Sequence, residues 1–240
     1  MFYTAREITD RMVKELKKKF KKLSDKERAR VLASFFKTDK GQYGEGDIFI
    51  GIRNPDLKVL AKEYKDLSFS KLKKLLKSKI HEERCLALFI LVKRYPKEKK
   101  KTVDFYLENL KGVNNWDLVD ASAYKILGDY LIDKDKKILY RLAKSDNLWE
   151  KRVAIISTLA FIREGEFKDC LAIAEILLKD KHDLIHKAVG WMLREVGKRD
   201  LRTEERFLKK HYQNMPRTML RYAIEKFEEQ KRRVYLKGEI

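Results

Sequence analysis

Apolar residues recur at every third or fourth position along most of the chain, as they do on the buried face of an α-helix. In the first such segment, one face carries Met12, Leu16, Phe20 and Leu23, and lysines occupy most of the positions off that face. A lysine run of this kind is typical of a solvated helix face, and a stripe facing DNA or a membrane is the alternative. The pattern predicts a mainly helical chain.

Residues that form turns are scarce. The 240 residues include 10 glycines and 3 prolines, which favours long helices joined by short connections. Four of the glycines lie just before Asn54-Pro55, so residues 37–54 are predicted as the one long loop. This loop would become ordered on binding or cap the first repeat. We expect a single domain over residues 1–240, with a charged C-terminal tail at about 229–240.

Residues suited to capping helix N-termini recur at a nearly constant spacing. They are Ser78, Asn114, Asn147, Asp180 and Asn214, separated by 36, 33, 33 and 34 residues. An acid follows two of them three residues later, Asp117 after Asn114 and Glu150 after Asn147, as in a capping box. A helix pair that recurs at this period is typical of a HEAT-like α-solenoid. We therefore predict an all-α solenoid of HEAT-like repeats, in which equivalent helices line a concave surface.

The chain is strongly basic. Lys and Arg number 57 against 37 Asp and Glu, which gives a net charge of +20. Basic side chains placed against phosphates release condensed counterions, so an excess of this size favours nucleic acid as the partner. An anionic membrane surface and a generally solubilising surface are the alternatives. On a solenoid, the charge would give the concave surface a basic lining suited to a DNA duplex.

The two cysteines, Cys85 and Cys170, both lie in apolar helical patterns. This position indicates reduced, buried thiols rather than a disulfide framework. The first 17 residues do not resemble a signal peptide, and the longest apolar run, residues 86–92, is too short to span a bilayer. We therefore expect a cytoplasmic protein that does not enter the membrane.

Most sequence hallmarks of hydrolases and phosphate-binding enzymes are missing. The chain has no Gly-rich phosphate loop, no GxSxG motif and no HExxH motif. His182 and His186 are four residues apart and could share a metal, but no third ligand is evident, and helical histidines at this spacing are usually surface or cap residues. We therefore expect neither a metal nor another cofactor.

The three tryptophans, Trp116, Trp149 and Trp191, are the most conspicuous candidates for chemistry. Trp116 and Asp120 are four residues apart, so one helix face would hold a carboxylate beside an aromatic ring. The ordinary interpretation is that the tryptophans pack between repeats and that Asp120 forms a structural ion pair with Arg152. Helical geometry does not place Trp191 on the same face as Trp116. The glycine before Trp191 would permit a close approach between helices.

Several segments, taken in order, are similar to one family. These segments are NNWDLVDASA (114–123), NLWEKRVAIIST (147–158), HDLIHKAVGWMLREVGKRD (182–200), MPRTMLRYAIE (215–225) and GDIFIGIRNPDLKVLAKEY (46–64). Together they resemble the DNA alkylation repair family of HEAT-like DNA glycosylases, the AlkD type. The resemblance runs over roughly residues 5–230, and several motifs in the right order are more specific than any one of them.

The resemblance implies an enzyme of base-excision repair that hydrolyses the N-glycosidic bond of alkylated purines in double-stranded DNA. The substrates implied are chiefly the cationic lesions 3-methyladenine and 7-methylguanine, attacked while they remain stacked in the helix. The family's catalytic aspartate falls on Asp120, its two tryptophans on Trp116 and Trp191, and its arginine on Arg152. All four residue types are present in this chain.

Basic residues near these positions are the candidates for contacts with DNA phosphates. They are Arg152, Lys151, Lys187, Arg194 and Arg217. We expect a monomer without an obligate protein partner. Two alternatives remain open on the same fold: a non-catalytic protein that binds branched or distorted DNA, and a protein-binding scaffold whose affinity for duplex DNA is weak.

Overall fold

The computed structural model describes residues 5–240, without the side chains of residues 5–11 and 13, and it is helical throughout. The helices are α1 (Ala5–Leu23), α2 (Lys26–Phe35), α3 (Asn54–Glu63), α4 (Phe69–Leu76), α5 (His81–Arg94), α6 (Lys99–Glu108), α7 (Trp116–Ala123), α8 (Lys137–Ala143), α9 (Leu148–Ser157), α10 (Leu159–Arg163), α11 (Lys168–Leu177), α12 (Asp183–Gly197), α13 (Leu201–His211), α14 (Arg217–Ala223) and α15 (Glu229–Lys237). A π-helical turn, Tyr124–Gly128, continues α7. Within the described residues no β-strand forms, and the one isolated bridge pairs Ile48 with Ile80. The all-α prediction is confirmed.

The predicted repeat is present in the helix starts. α5, α7, α9, α12 and α14 begin at intervals of 32 to 35 residues. Of the predicted caps, Asn147 is confirmed, because its side chain accepts hydrogen bonds from the backbone N–H groups of Trp149 and Glu150. The other four predicted caps lie one or two residues too early, because the residues that directly precede those helices are Ile80, Asn115, His182 and Pro216.

The described chain folds into two compact units, the first ending at Leu118 and the second beginning at Val119. In the first unit, α3 and α4 pack against α5. In the second, α12 packs against α9, α11, α13 and α14. An ideal Cβ on Gly190 of α12 would lie 2.4 Å from the Met219 carbonyl oxygen, so the predicted close helix approach at this glycine is confirmed. The single domain over residues 1–240 stays a prediction.

The predicted long loop connects α2 to α3 and is tied down by one buried acid. The Glu82 carboxylate accepts hydrogen bonds from the backbone N–H groups of Ile50, Gly51 and Ile52, the shortest being 2.7 Å to Gly51. Gly51 has a φ of +81°, and an ideal Cβ there would lie 2.1 Å from the Asp25 carbonyl oxygen. The loop is therefore anchored within the first unit.

Most of the segment predicted as a charged C-terminal tail, residues 229–240, forms the helix α15. Its residue Tyr235 is 2% exposed and contacts the rings of Tyr212 and Phe227 at centroid distances of 5.7 and 5.6 Å. This buried aromatic belongs to a helix whose other side chains are mostly charged, and the count of charges along the segment does not reveal it.

The remaining sequence expectations concern the cysteines and membrane spans. Cys85 and Cys170 are both buried free thiols, as predicted, and burial raises the pKa of Cys170 to about 12. None of the described helices combines the length and the hydropathy that crossing a bilayer requires.

Candidate active site

A buried ion pair joins α7 to α9. Arg152 Nε donates to Asp120 Oδ1 at 2.9 Å, and Nη2 donates to Oδ2 at 2.7 Å, so the pair is bidentate. The third guanidinium nitrogen, Nη1, donates to the Leu184 carbonyl oxygen of α12 at 2.5 Å. The Arg152 side chain is 5% exposed and that of Asp120 is 19% exposed. The arginine is thus fully enclosed, while the carboxylate it holds remains partly accessible.

This arrangement follows from where the helices begin and how they pack. The Asn147 cap sets the start of α9, and Arg152 lies on the second turn, where α9 packs against α12. A guanidinium buried at such a contact needs partners for its N–H groups, and a planar carboxylate matches two of them at once. Asp120 is therefore fixed in position and orientation by a side chain from another repeat.

Trp116 begins α7 and lies one turn before Asp120 on that helix. Its indole stacks on the ring of Phe36, with a centroid distance of 5.2 Å and an interplanar angle of 11°. Phe35 contacts the indole edge-to-face at 6.0 Å. The Trp116 backbone N–H donates to the side chain of Asn115 at 2.8 Å. The ring and the backbone of this tryptophan are both held by residues of the first unit.

Trp191 lies on α12, in the second unit. Its indole N–H donates to Glu195 Oε1 at 3.1 Å. Seven residues separate Trp191 from Leu184, whose carbonyl group holds Arg152, so both lie on the same side of α12, about 10 Å apart along the axis. The structure thus brings Asp120 and Arg152 into contact and places Trp191 two turns along the helix that supports them.

The candidate phosphate contacts other than Arg152 are all engaged in contacts of their own. Lys151 pairs with Asp180 at 2.7 Å and Lys187 with Asp183 at 2.7 Å. Arg194 pairs with Glu225, and Arg217 donates to the Leu236 carbonyl oxygen at 2.5 Å. Arg152 itself is occupied by Asp120 and Leu184. Proximity in sequence to the site did not reveal these partners.

Three lysines that the sequence analysis missed lie around a groove in the second unit. The groove has a volume of about 600 Å³ and runs between the start of α9 and the connection from α11 to α12. Lys144, Lys179 and Lys181 line it, are exposed, and form no ion pair with any residue that the structure describes. Their position in the short connections beside the N-terminal caps is the signal that could have identified them.

A second buried polar group was also missed. It consists of Asp47, His81, Arg84, Asn115 and Asp117, and we call it the Asp47 cluster. His81 Nε2 bonds Asp117 Oδ2 at 2.9 Å and Nδ1 bonds Asp47 Oδ2 at 3.3 Å, while Arg84 pairs with Asp47 at 2.6 Å. Asn115 Nδ2 donates to Asp47 at 3.3 Å. The side chains of Asp47, His81 and Arg84 are each 4% exposed.

The charges in this cluster shift the pKa values of its members. Burial lowers the pKa of His81, but the hydrogen bonds to Asp117 and Asp47 raise it by more, to about 9. Burial raises the pKa of Asp47, and the contacts with His81 and Arg84 more than offset this, so the net pKa is below its usual value. His81 is therefore a cation at neutral pH, held between two carboxylates.

The histidines that we considered as metal ligands make hydrogen bonds within the fold. His182 Nδ1 accepts from the Leu184 backbone N–H at 3.1 Å and so caps α12. His186 Nε2 bonds the Asp180 carbonyl oxygen at 2.6 Å. In the part of the chain whose side chains are described, no group of three or more His, Cys, Asp or Glu residues is arranged to hold a metal ion.

Comparisons with known proteins identify the family to which this repeating helical fold belongs. The sequence model of the DNA alkylation repair enzyme family matches residues 16–227. The chain therefore belongs to the family of DNA alkylation repair enzymes. No curated protein matches it in sequence.

Solved structures show the same fold. A protein of Enterococcus faecalis, described as a predicted DNA alkylation repair enzyme, is 18% identical with a TM-score of 0.65 over 86% of this chain and 97% of its own. AlkD2 from Streptococcus mutans is 20% identical with a TM-score of 0.51 over 85% of this chain and 99% of its own. At these identities the likeness concerns the fold alone.

Proposed function

We propose that this protein is a DNA glycosylase that removes cationic alkylated purines, chiefly 3-methyladenine and 7-methylguanine, from duplex DNA. The observation that carries the proposal is the bidentate Arg152–Asp120 pair, which holds a partly exposed carboxylate in one orientation. Membership of the DNA alkylation repair enzyme family supports a role in that pathway.

The chemistry suits a lone, oriented carboxylate. A purine alkylated at N3 or N7 carries positive charge, so the C1′–N bond breaks with its electron pair passing to a base that leaves neutral. Positive charge then develops on the deoxyribose, and the Asp120 carboxylate would stabilise it and orient the water that adds to C1′ and loses a proton. A carboxylate accepts about four hydrogen bonds, and Arg152 supplies two of them to Asp120.

Arg152 acts in this scheme as a positioning group. Its three nitrogens contact Asp120 and Leu184, and its burial prevents it from swinging out to the surface. Trp116 and Trp191 would supply indole faces to the cationic sugar or base, each contributing about 0.5–2 kcal/mol. A mechanism that relies on the lability of the leaving group needs no enclosed base pocket, and it predicts that neutral lesions such as uracil are poor substrates.

The phosphate contacts are assigned to the groove lysines rather than to Lys151, Lys187, Arg194 and Arg217. Lys144, Lys179 and Lys181 have no carboxylate partner to lose when they meet a phosphate, whereas the other four would have to break an existing contact. We expect the double change Lys179→Ala and Lys181→Ala to lower the slope of log affinity against log salt by about 2. The matched control changes the exposed Lys168 and Lys209, which lie outside the groove.

The test of the proposed function is release of purine bases from methylated duplex DNA. We expect the wild-type protein to release 7-methylguanine, and Asp120→Asn to slow the release by about 100- to 1,000-fold. Binding to undamaged duplex should change little. Because the change weakens a buried ion pair, circular dichroism must first show that the variant is folded at the assay temperature.

Asp133→Asn is the matched control, because Asp133 is exposed and lies in the connection between α7 and α8. It should leave base release unchanged. A wild-type protein that binds branched or distorted DNA and releases no methylated base would overturn the glycosylase proposal and favour the non-catalytic alternative. An Asp120→Asn protein with full activity would remove Asp120 from the mechanism.

A further inference from the structure

The Asp47 cluster lies within the first unit and is bonded to the backbone segment that carries Trp116. Asn115 lies immediately before Trp116. Its side-chain amide donates a hydrogen bond to Asp47, and its side-chain oxygen accepts one from the Trp116 backbone N–H. Asp117, immediately after it, bonds His81. The residues on both sides of the tryptophan are therefore fixed by the same buried group of charges.

A second route connects the cluster to Trp116 through stacked rings. His81 stacks on Phe49 with centroids 4.5 Å apart and an interplanar angle of 23°. Phe49 stacks on Phe36 at 4.9 Å and 24°, and Phe36 stacks on Trp116 at 5.2 Å and 11°. His81 also contacts Phe36 directly, at a centroid distance of 5.1 Å and an interplanar angle of 41°, so His81, Phe49 and Phe36 form a cluster of three rings on which the indole of Trp116 stacks through Phe36. Trp116 is thus held both by its backbone and by its ring. His81 takes part in each: it forms a hydrogen bond with Asp117, and its ring contacts Phe49 and Phe36.

We propose that the Asp47 cluster and the rings of His81, Phe49 and Phe36 are a positioning device that fixes the indole plane of Trp116 before DNA binds. This inference rests on the proposed glycosylase function, in which Trp116 must present its face to the reacting sugar or base. His81 is a positioning residue: its side chain is 4% exposed, and it acts through Phe49, Phe36 and Asp117.

The geometry explains why so many charges are buried at this place. An ion pair enclosed in a protein contributes little net stability against apolar packing, but it fixes geometry because each group must keep its partner. A tryptophan held by a hydrogen-bonded backbone alone could rotate about its side-chain bonds. The parallel ring of Phe36 restricts that rotation, and Phe49 and His81 keep Phe36 in its plane.

The decisive experiment changes Phe36, which contacts the indole and makes none of the polar bonds. Phe36→Leu removes the plate under the indole and leaves an apolar side chain, whereas Phe36→Tyr keeps a ring. Phe36 lines a cavity of about 260 Å³, which offers room for the added hydroxyl. In single-turnover assays with excess enzyme, we expect Phe36→Leu to slow base release by about 10- to 100-fold and Phe36→Tyr to restore most of it. Affinity for undamaged duplex should change less than twofold.

Phe105→Leu is the matched control for loss of a buried ring. Phe105 is 8% exposed, contacts Phe69 at 4.9 Å, and lies on α6 in the same unit. It should destabilise the fold to a similar extent without slowing base release by the folded protein. The proposal is overturned when Phe36→Leu releases bases at the wild-type rate, or when Phe105→Leu loses as much activity.

A spectroscopic measurement separates this proposal from the proposed function. In a protein carrying Trp149→Phe and Trp191→Phe, the fluorescence comes from Trp116 alone. We expect Phe36→Leu and His81→Gln each to increase quenching of that fluorescence by acrylamide by about twofold, because a loosened indole is reached more often. Unchanged quenching in both variants refutes the positioning device even where the wild-type protein proves to be no glycosylase. A wild-type protein without base release refutes only the function.

Discussion

The starts of α7 and α9 have similar sequences but are held in different ways. One reads Asn-Asn-Trp-Asp-Leu from position 114 and the other Asn-Leu-Trp-Glu-Lys from position 147. In α9 the Asn147 side chain caps the helix locally, accepting hydrogen bonds from the backbone N–H groups of Trp149 and Glu150 at 2.8 and 3.2 Å. In α7 the matching Asn114 is not the cap, and Asn115 accepts the first N–H instead.

The first-turn acids differ in the same way. Glu150 lies in the first turn of α9, where the helix dipole favours a negative charge. Asp117 occupies the equivalent place in α7 but bonds His81, which is 36 residues earlier in the chain. A local cap fixes where a helix begins, whereas a tertiary ion pair also fixes where the helix lies against its neighbours. Of the two first-turn acids, the one on the helix that carries Trp116 and Asp120 is held by a tertiary ion pair.

The largest expected effect is from Asp47→Asn. This change removes the charge that Arg84 and His81 share, and both cations are enclosed. Arg84 would lose its carboxylate partner and His81 would keep only Asp117, and removing one partner of a buried ion pair costs about 3–5 kcal/mol in the free energy of unfolding, measured by urea denaturation. Asp104→Asn is the control, because its ion pair with Lys100 is exposed and should contribute less than about 1 kcal/mol. Equal losses in the two variants would mean that the cluster does not hold the first unit together.

A pH titration of stability tests the charge on His81. Its pKa in the folded protein is about 9 against an ordinary value of 6.5, so its contribution is fully present below pH 6.5 and is lost as the pH rises through 9. Across that window the free energy of unfolding should fall by about 3 kcal/mol. Glu204, whose pKa burial raises to about 8, also lowers stability as the pH rises from 4.5 to 8.

The difference between the wild-type protein and His81→Gln isolates the histidine, because Glu204 contributes equally to both. We expect the wild-type curve to fall more steeply between pH 6.5 and 9, and Asn147→Ala to keep the wild-type shape. Parallel curves for the wild-type protein and His81→Gln would show that His81 is neutral in the folded state.

The two helix starts also show which contacts could be predicted from the sequence: local contacts could, and contacts between distant residues could not be predicted from spacing alone. Sequence rules for helix capping predicted Asn147 correctly, because a cap depends only on the residue itself and the next three residues. The family resemblance brought Asp120 and Arg152 together as candidates, and the structure shows them in contact. The Asp47 cluster depends on contacts between Asp47, His81 and Asp117 over more than 30 residues, and no periodicity or spacing rule for a single helix encodes them.

The surface charges show the same limit. Lys151 and Lys187 were selected because they lie near the site residues Arg152 and Trp191 in sequence, and each is paired with an acid. Lys179 and Lys181 were overlooked because they flank Asp180, and a mixed run of charges resembles a solvated connection. Only the fold shows that Asp180 pairs with Lys151 and leaves its two neighbours unpaired.

A smaller effect separates the two asparagines at matching positions. Asn147→Ala removes a side chain that accepts two backbone N–H groups, so it should cost about 1 kcal/mol of unfolding free energy. Asn114→Ala should change stability by less than about 0.5 kcal/mol, because Asn114 does not cap α7. Urea denaturation of both variants in one buffer measures the difference. Equal costs would show that α7 begins one residue earlier than the structure places it.

The smallest expected effect concerns the acid in the first turn of each helix and its response to salt. Glu150→Gln removes a charge that interacts with the dipole of α9, which is worth about 0.3–1 kcal/mol at low ionic strength. At 1 M NaCl the Debye length is about 3 Å, so the cost of Glu150→Gln should nearly disappear. Asp117→Asn breaks a bond to a histidine that is 4% exposed, where salt screens poorly, so its larger cost should persist at high salt. The measurement is the free energy of unfolding of both variants at 0.05 M and 1 M NaCl. If the cost of Asp117→Asn also disappeared at high salt, the Asp47 cluster would be more open to water than its burial indicates.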